Sequence, residues 1–117
     1  TRLDEIVTGQ AASFGVEAVL DYEIGYPATI NDPEKTAFAA DVAREIAGDA
    51  GVNAAARPEM GAEDFAFFLE KRPGAYLFVG NGDTAGLHNP AYDFDDAGAA
   101  VGASFFARLV ERASPVA

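Results

Sequence analysis

The sequence lacks cysteine and tryptophan, and its 117 residues include a single histidine, His88. Without cysteine, the chain can form neither a disulfide framework nor a thiolate metal site of its own. A catalytic zinc ion generally keeps three protein ligands and an open position, and one histidine falls short of such a set. His88 is therefore either a structural or surface histidine or a metal ligand, and the residues alone leave both interpretations open.

Positive charge is also scarce, with 8 Lys and Arg against 19 Asp and Glu and a formal net charge of −11. This charge would repel a nucleic-acid backbone and an anionic membrane surface. Runs of about 18 apolar residues are absent, as is a basic segment followed by an apolar stretch, so neither a membrane span nor a signal peptide is predicted. Half of the residues are hydrophobic, which is typical of a globular domain, and a cytoplasmic location is the default expectation.

The first third of the chain combines a helical pattern with an alternating one. The chain starts without Met inside a helical repeat, as a cut piece would, and Gly15 is suited to end that helix. Residues 16–26 then alternate apolar and polar side chains, which predicts a strand with one wet face, half-exposed or at a sheet edge. Asp32 as a cap and Pro33 at the first helical position predict a second helix, which extends to about Ala47.

The remaining two thirds favour an α/β alternation. Residues 52–56 read as a short strand, 62–71 as a short helix and 95–112 as the last helix. The apolar run 75–79 has no alternation, which predicts a strand buried on both faces by helices. The fold class predicted is α/β, with a boundary between two subdomains near residues 27–33.

Two ligand motifs begin in the C-terminal half, and neither is complete. Gly80, Gly82 and Ala85 mimic the spacing of a dinucleotide fingerprint, but no helical pattern follows to receive the phosphates. Counted from Asp93, an EF-hand loop would lack side-chain ligands at its fifth and twelfth positions. The acidic residues around Asp95 are better explained as the start of the last helix.

Three stretches, in order, carry a resemblance to a known family: YPATIND, MGAEDFAFFLEKRPGAYLFVGNG and LHNPAYDFDDAGAAVGASFF. They closely resemble the C-terminal end of the hippurate hydrolase, N-acyl-amino-acid amidohydrolase and auxin-conjugate hydrolase group. This group lies within the aminoacylase and carboxypeptidase superfamily of metallohydrolases. The resemblance covers essentially the whole chain, and the paired EDF and LHNP…YDF motifs are its most specific part.

The resemblance implies a division of the chain between two domains. Residues 1–30 would be the last helix and strand of an α+β lid or dimerisation domain. Residues 31–117 would be the C-terminal part of a metallopeptidase-like α/β catalytic domain. A homodimer is compatible with this arrangement.

The resemblance also implies roles for individual residues. His88 would be a ligand of a divalent metal ion, with zinc, manganese and cobalt left open. The other ligands and the catalytic Glu would lie in the N-terminal two thirds of a full-length enzyme, so no catalytic residue is expected here and the isolated chain need not bind metal. The backbone at Gly61 and Ala62, with Glu63, would shape the floor of the active site. Asn31 would reach the substrate across the cleft.

The implied reaction is metal-dependent hydrolysis of the amide bond of an N-acyl amino acid or peptide, and the fragment alone is expected to be inactive. One alternative is a free-standing α/β binding or assembly module that pairs through the edge strand 16–26. Another is a degenerate relative that kept the fold and lost the site.

Overall fold

A computed structural model describes residues 1–114 of the chain, and the secondary structure of this part is helical. The elements are α1 (Arg2–Phe14), α2 (Pro33–Ala47), a 3-10 turn (Asp49–Gly51), α3 (Ala66–Leu69) and α4 (Asp96–Ala113). Extended and turn segments connect them. Among the described helices, none combines the length and the apolar character that crossing a bilayer requires.

The end of α1, both ends of α2 and the start of α4 lie where the sequence predicts them, and α4 ends one residue beyond the predicted Arg112. Gly15 ends α1 with φ 65, and its N–H donates to the carbonyls of α1's last turn. The Asp32 carboxylate caps α2 by accepting the Lys35 N–H at 2.9 Å, with Pro33 at the first position. Asp95 caps α4 through the Ala97 N–H at 2.9 Å. These local signals confirm the predicted helix ends.

The helix predicted over residues 62–71 is wrong in extent, because α3 contains only Ala66–Leu69. The Ala66 N–H donates to the Glu63 carbonyl at 3.2 Å and the Phe67 N–H to the Asp64 carbonyl at 3.0 Å, so the chain before α3 forms tighter i to i+3 turns and not a regular α-helical start. At the other end, Pro73 disfavours the helical conformation of the preceding residue.

The strands predicted over residues 16–26, 52–56 and 75–79 do not form among the described residues. Residues 17–30 make no backbone hydrogen bond to any other described residue. A strand is defined by such bonds to a neighbour, and the alternation in 16–26 supplies only one side of the pair. Residues 16–26 and 75–79 are therefore chain without a sheet, residues 52–56 contain a turn at 54–55, and the α/β expectation is not met by the described part.

Packing between helices is concentrated in the contact of α2 with α4. Val42 of α2 is fully buried, and Ala39 and Ala40 beside it are nearly so. The Glu45 carboxylate accepts hydrogen bonds from Arg108 and Arg112 of α4, the first at 2.6 Å. This small core holds the two helices together and positions the segment 75–80, whose end lies against Gly98 of α4.

The chain is open for its size. Its radius of gyration is 20.7 Å, whereas a compact domain of this length would have about 13 Å. Its accessible surface is 9733 Å², against roughly 6,100 Å² for a folded monomer of this mass. Large apolar side chains stay exposed, including Val19 at 94% and Ile24 at 86%. Much of the surface that would form a core has no partner within the described residues.

Candidate functional site

His88 lies at the third position of a β-turn formed by residues 86–89, which is closed by the Asn89 N–H donating to the Gly86 carbonyl at 3.2 Å. Its φ is 65, and it is the one non-glycine residue of the described part with a positive φ. A type II turn requires positive φ at this position and normally places glycine there. Non-glycine residues with positive φ cluster at functional sites, although histidine adopts this region more readily than most residues, so the conformation marks His88 as a candidate functional residue.

The His88 loop, defined as residues 82–94, is closed at its base by Asn81. The Asn81 side chain donates to the Asp93 carbonyl at 2.6 Å and accepts the Asp95 N–H at 2.8 Å. The loop is solvent-exposed at His88, so the imidazole nitrogens are accessible. Compact loops of this length with closely spaced ends are frequently functional.

Other metal-binding side chains are not gathered around His88. Within residues 1–114, no group of three or more His, Cys, Asp or Glu side chains is placed to hold a metal ion. Asp93 lies near the end of the loop and Asp95 follows it, but Asp95 is engaged as the cap of α4. The geometry therefore offers one accessible imidazole and no complete site.

Glu63 belongs to a second cluster, in which its carboxylate accepts two hydrogen bonds. The Tyr76 hydroxyl donates at 2.9 Å and the Phe65 N–H at 3.2 Å. The Phe65 N–H, followed by the Tyr76 hydroxyl, lowers the pKa of Glu63. The bond to Glu63, assisted by burial, raises the pKa of Tyr76. The pair is thus fixed as carboxylate and neutral phenol near neutral pH.

Asn31 joins this cluster through Tyr76. Its side chain donates to the Tyr76 carbonyl at 2.9 Å and accepts the Tyr76 N–H at 2.8 Å. Gly61 and Ala62 precede Glu63 in an exposed, irregular segment. A side chain added at Gly61 would meet no other atom within 4 Å. The structure therefore brings Asn31 and Glu63 together through Tyr76, whereas His88 shares no hydrogen bond with either in the described part.

An aromatic row runs through the same cluster. The Phe65 ring lies 5.7 Å from that of Phe68 and 5.7 Å from that of Tyr76, and Tyr76 lies 5.3 Å from Phe78, between ring centroids. Phe68 and Phe78, at the two ends, are 66% and 72% exposed. The row fixes the Tyr76 ring toward Glu63 and leaves an apolar face open.

Sequence reasoning missed Tyr76 and Asn81, although both organise the candidate residues. Tyr76 sits inside an apolar run that reads as core, and its hydroxyl partner Glu63 is 13 positions away. Asn81 is followed by Gly82, and an Asn-Gly pair is a turn signal that could have indicated the start of a loop. The residue pattern around Tyr76 or Asn81 does not indicate which distant residue its side chain will bond.

The chain belongs to the peptidase family M20/M25/M40, whose model matches residues 5–112. Among similar proteins is the hippurate hydrolase of Campylobacter jejuni subsp. jejuni, 35% identical over 108 residues, or 92% of this chain and 28% of that protein. The N-acetylcysteine deacetylase of Bacillus subtilis is 32% identical, with the same two shares. The IAA-amino acid hydrolase ILR1-like 6 of Arabidopsis thaliana is 31% identical over 95% of this chain and 26% of its own length.

These relatives agree with the resemblance that the motifs carry, to hippurate hydrolases, amidohydrolases and auxin-conjugate hydrolases. The chain spans little more than a quarter of the length of the hippurate hydrolase and of the N-acetylcysteine deacetylase. No solved structure gives a significant match.

Proposed function

We propose that this chain forms the C-terminal part of a metal-dependent amidohydrolase that cleaves the amide bond of N-acyl amino acids. The observation that carries the proposal is His88, an accessible imidazole held at positive φ in a chain of the M20/M25/M40 family. The names of its relatives, hydrolases and deacetylases of N-acylated amino acids, support this substrate class. Its contribution to the metal site is one ligand.

The donor chemistry of the chain fits a shared metal site in part. A neutral imidazole is a common ligand of zinc and other divalent ions, and the exposure of His88 leaves its nitrogens free to bind. The remaining ligands and the carboxylate base would come from outside this chain, because the described residues hold no group of three. When bound, such an ion polarises a carbonyl oxygen and lowers the pKa of water.

The residues of the Glu63 cluster serve the same site by shaping its floor. Two hydrogen bonds hold the Glu63 carboxylate, and Gly61 and Ala62 directly precede this residue in the chain. Asn31 keeps one amide hydrogen and one lone pair beyond its bonds to Tyr76, and these would face a substrate. Glu63 acts as a fixed anion and acceptor, with no proton to transfer near neutral pH.

The domain division follows the same proposal. Residues 1–30 would end a lid or dimerisation domain, since α1 makes no packing contact with the other described helices. Residues 31–117 would complete the catalytic α/β domain, in which the extended segment 75–79 would gain strand neighbours. The apolar row on one side of that segment and α4 on the other support a strand covered on both faces.

The test compares the 117-residue chain with the longer protein encoded by the reading frame that contains it. The isolated chain is expected to show no hydrolysis of N-benzoylglycine or N-acetylcysteine, and the longer protein to hydrolyse at least one of them. In the longer protein, His88→Gln should lower the amount of bound metal. It should also reduce the rate of hydrolysis by more than the roughly 10–100-fold expected when a residue that only orients a ligand is lost.

Full activity of the isolated chain would contradict the proposal, as would unchanged metal content in His88→Gln. The reading frame also tests whether the protein is a degenerate relative that kept the fold and lost the site, because such a protein would lack the remaining metal ligands. The exposed side chain Glu34→Gln in α2 provides a control of the same size and polarity away from the His88 loop.

A second candidate is assembly through residues 16–26. These residues form an exposed, extended segment without backbone partners among the described residues, and unpaired edges readily add a strand from another chain. Pairing with a second copy would give a homodimer. Size-exclusion mass measured over a range of concentrations tests it: a strict monomer at high concentration contradicts pairing.

A further inference from the structure

We propose that Asn81 is a positioning residue for His88: its side-chain amide closes the base of the His88 loop and thereby keeps His88 in the left-handed conformation. The ligand role of His88 comes from the proposed function, on which the relevance of this inference rests. The loop geometry itself does not depend on a metal.

Asn81 uses both halves of its amide on the far end of the loop. The nitrogen donates to the Asp93 carbonyl at 2.6 Å, and the oxygen accepts the Asp95 N–H at 2.8 Å. A donor and an acceptor engaged side by side imitate the pairing of a neighbouring strand. The loop is therefore closed by two bonds from one side chain.

The anchor points on both sides are fixed by other contacts. Asp95 caps α4, so its backbone is part of the helix start. On the other side, the Gly80 carbonyl lies 3.8 Å from the position that a side chain at Gly98 would occupy, which places Asn81 directly beside the first turn of α4. Asn81 thus connects the extended segment 75–80 to α4 across the loop.

The rest of the loop has only local hydrogen bonds. The Asn89 N–H donates to Gly86, the Tyr92 N–H to Asn89, and the Ala91 N–H to the Asn89 side chain. They form two successive turns, and none ties residues 82–94 to another part of the described chain. The Asn81 bonds are the ones that close it.

This closure bears on His88 because a non-glycine residue keeps a positive φ only where its surroundings over-determine it. The turn bond between Asn89 and Gly86, at 3.2 Å, is compatible with a type I turn as well, in which position 88 would have negative φ. Fixing the loop ends limits the path between them and selects the left-handed alternative.

The experiment uses Asn81→Asp and Asn81→Ser in the purified 117-residue chain. Aspartate keeps the acceptor for Asp95 but loses the donor and places a charge against the Asp93 carbonyl; serine shortens the side chain. Asn53→Asp is the matched control, because the Asn53 oxygen accepts only the Ala55 N–H, at 3.1 Å in an exposed turn.

Nuclear magnetic resonance gives the readout, since positive φ produces a strong intraresidue amide to α-proton NOE. We expect a strong NOE at His88 in the parent chain and in Asn53→Asp, and a weakened one in both Asn81 variants. The Asp95 amide should exchange about fivefold faster in Asn81→Ser, as for loss of one hydrogen bond. The amides in the middle of α4 should keep their protection.

Three results would overturn the inference: no strong NOE at His88 in the parent chain, an unchanged NOE in the Asn81 variants, or loss of α4 protection in both variants. The last would show that Asn81 supports the helix in general. The readout is independent of catalysis, so an inactive longer protein would count against the proposed function and leave this result in place.

Discussion

The side-chain amide of Asn31 pairs in both directions with the backbone of Tyr76, 45 positions later in the chain. Next to it, the Asp32 N–H donates to the Gly74 carbonyl at 2.9 Å. The start of α2 is therefore tied to residues 74–76 by three hydrogen bonds, and Tyr76 in turn binds Glu63. One side chain orders both the entry to α2 and the floor of the candidate site.

Asn31→Ala is expected to loosen this junction. Removing the amide leaves the N–H and carbonyl of the half-buried Tyr76 without partners, which should lower the free energy of unfolding by about 1–3 kcal/mol. Urea titration followed by circular dichroism measures the loss. Asn53→Ala, at an exposed turn, is the control, and an equal effect of the two substitutions would contradict the importance of the junction.

Tyr76→Phe should raise the pKa of Glu63 back toward its ordinary value of 4.5, because one of the two bonds that stabilise the carboxylate is lost. The Phe65 N–H bond stays, so the return should be partial. Carbon NMR of the Glu63 carboxyl group over a pH series measures it. Tyr22→Phe is the control, since Tyr22 is 66% exposed; an unchanged Glu63 pKa in Tyr76→Phe would refute the coupling.

The same pair predicts the pH range over which the bond stabilises the fold. The pKa of Glu63 is lowered, so its contribution is present above pH 4.5 and is lost as pH falls through the lowered value. The pKa of Tyr76 is raised, so its contribution is full below pH 10.0 and is lost as pH rises through the raised value. Thermal unfolding across pH should show Tyr76→Phe losing most, relative to the parent, between these limits.

Glu45→Gln should weaken the contact between α2 and α4. The carboxylate of Glu45 faces two guanidinium groups, Arg108 and Arg112, and all three side chains are partly exposed. We expect a loss of about 0.5–1 kcal/mol that shrinks as salt is added. Glu5→Gln, which removes an exposed pair with Arg2 inside α1, should cost less. A salt-independent loss would point to packing instead of charge.

Exposed apolar surface and acidic charge together predict self-association near pH 4.2, the sequence isoelectric point. The net charge of −11 keeps copies apart at neutral pH, and this repulsion vanishes as the carboxylates gain protons. Static light scattering should therefore rise sharply as pH approaches 4.2. Val19→Lys, at the 94% exposed position, should reduce the rise if residues 16–26 mediate it. Scattering that stays flat through pH 4.2 would contradict this prediction.

The helices could be predicted from the sequence because their signals are local. Asp32 with Pro33 sets the start of α2, and Gly15 sets the end of α1. Each of these residues bonds only to the helical turn next to it. The absence of strands could not be predicted, because the alternation in residues 16–26 indicates which side chains share a face of a strand but not whether a neighbouring strand is present to bond with it. The helix predicted over residues 62–71 was too long, because residues 63–66 form turns with bonds between positions i and i+3 in place of a regular first helical turn.

The candidate site likewise contains residues that the sequence predicted and residues that it did not. The lone histidine and its motif pointed to His88, and the family match agrees with that motif. Its positive φ could not be predicted, since histidine rarely takes the turn position that glycine prefers. Tyr76 and Asn81 were missed because their importance lies in bonds to residues 12 to 45 positions away.

Under the ligand role proposed for His88, its backbone conformation sets selection for stability against selection for metal binding. Glycine or asparagine would take φ 65 at lower cost, so selection for stability alone would drive position 88 toward them. Selection for a nitrogen ligand would keep histidine there despite that cost. Among descendants that no longer need the metal, position 88 should therefore be one of the first in the loop to change, and the change should make the chain more stable.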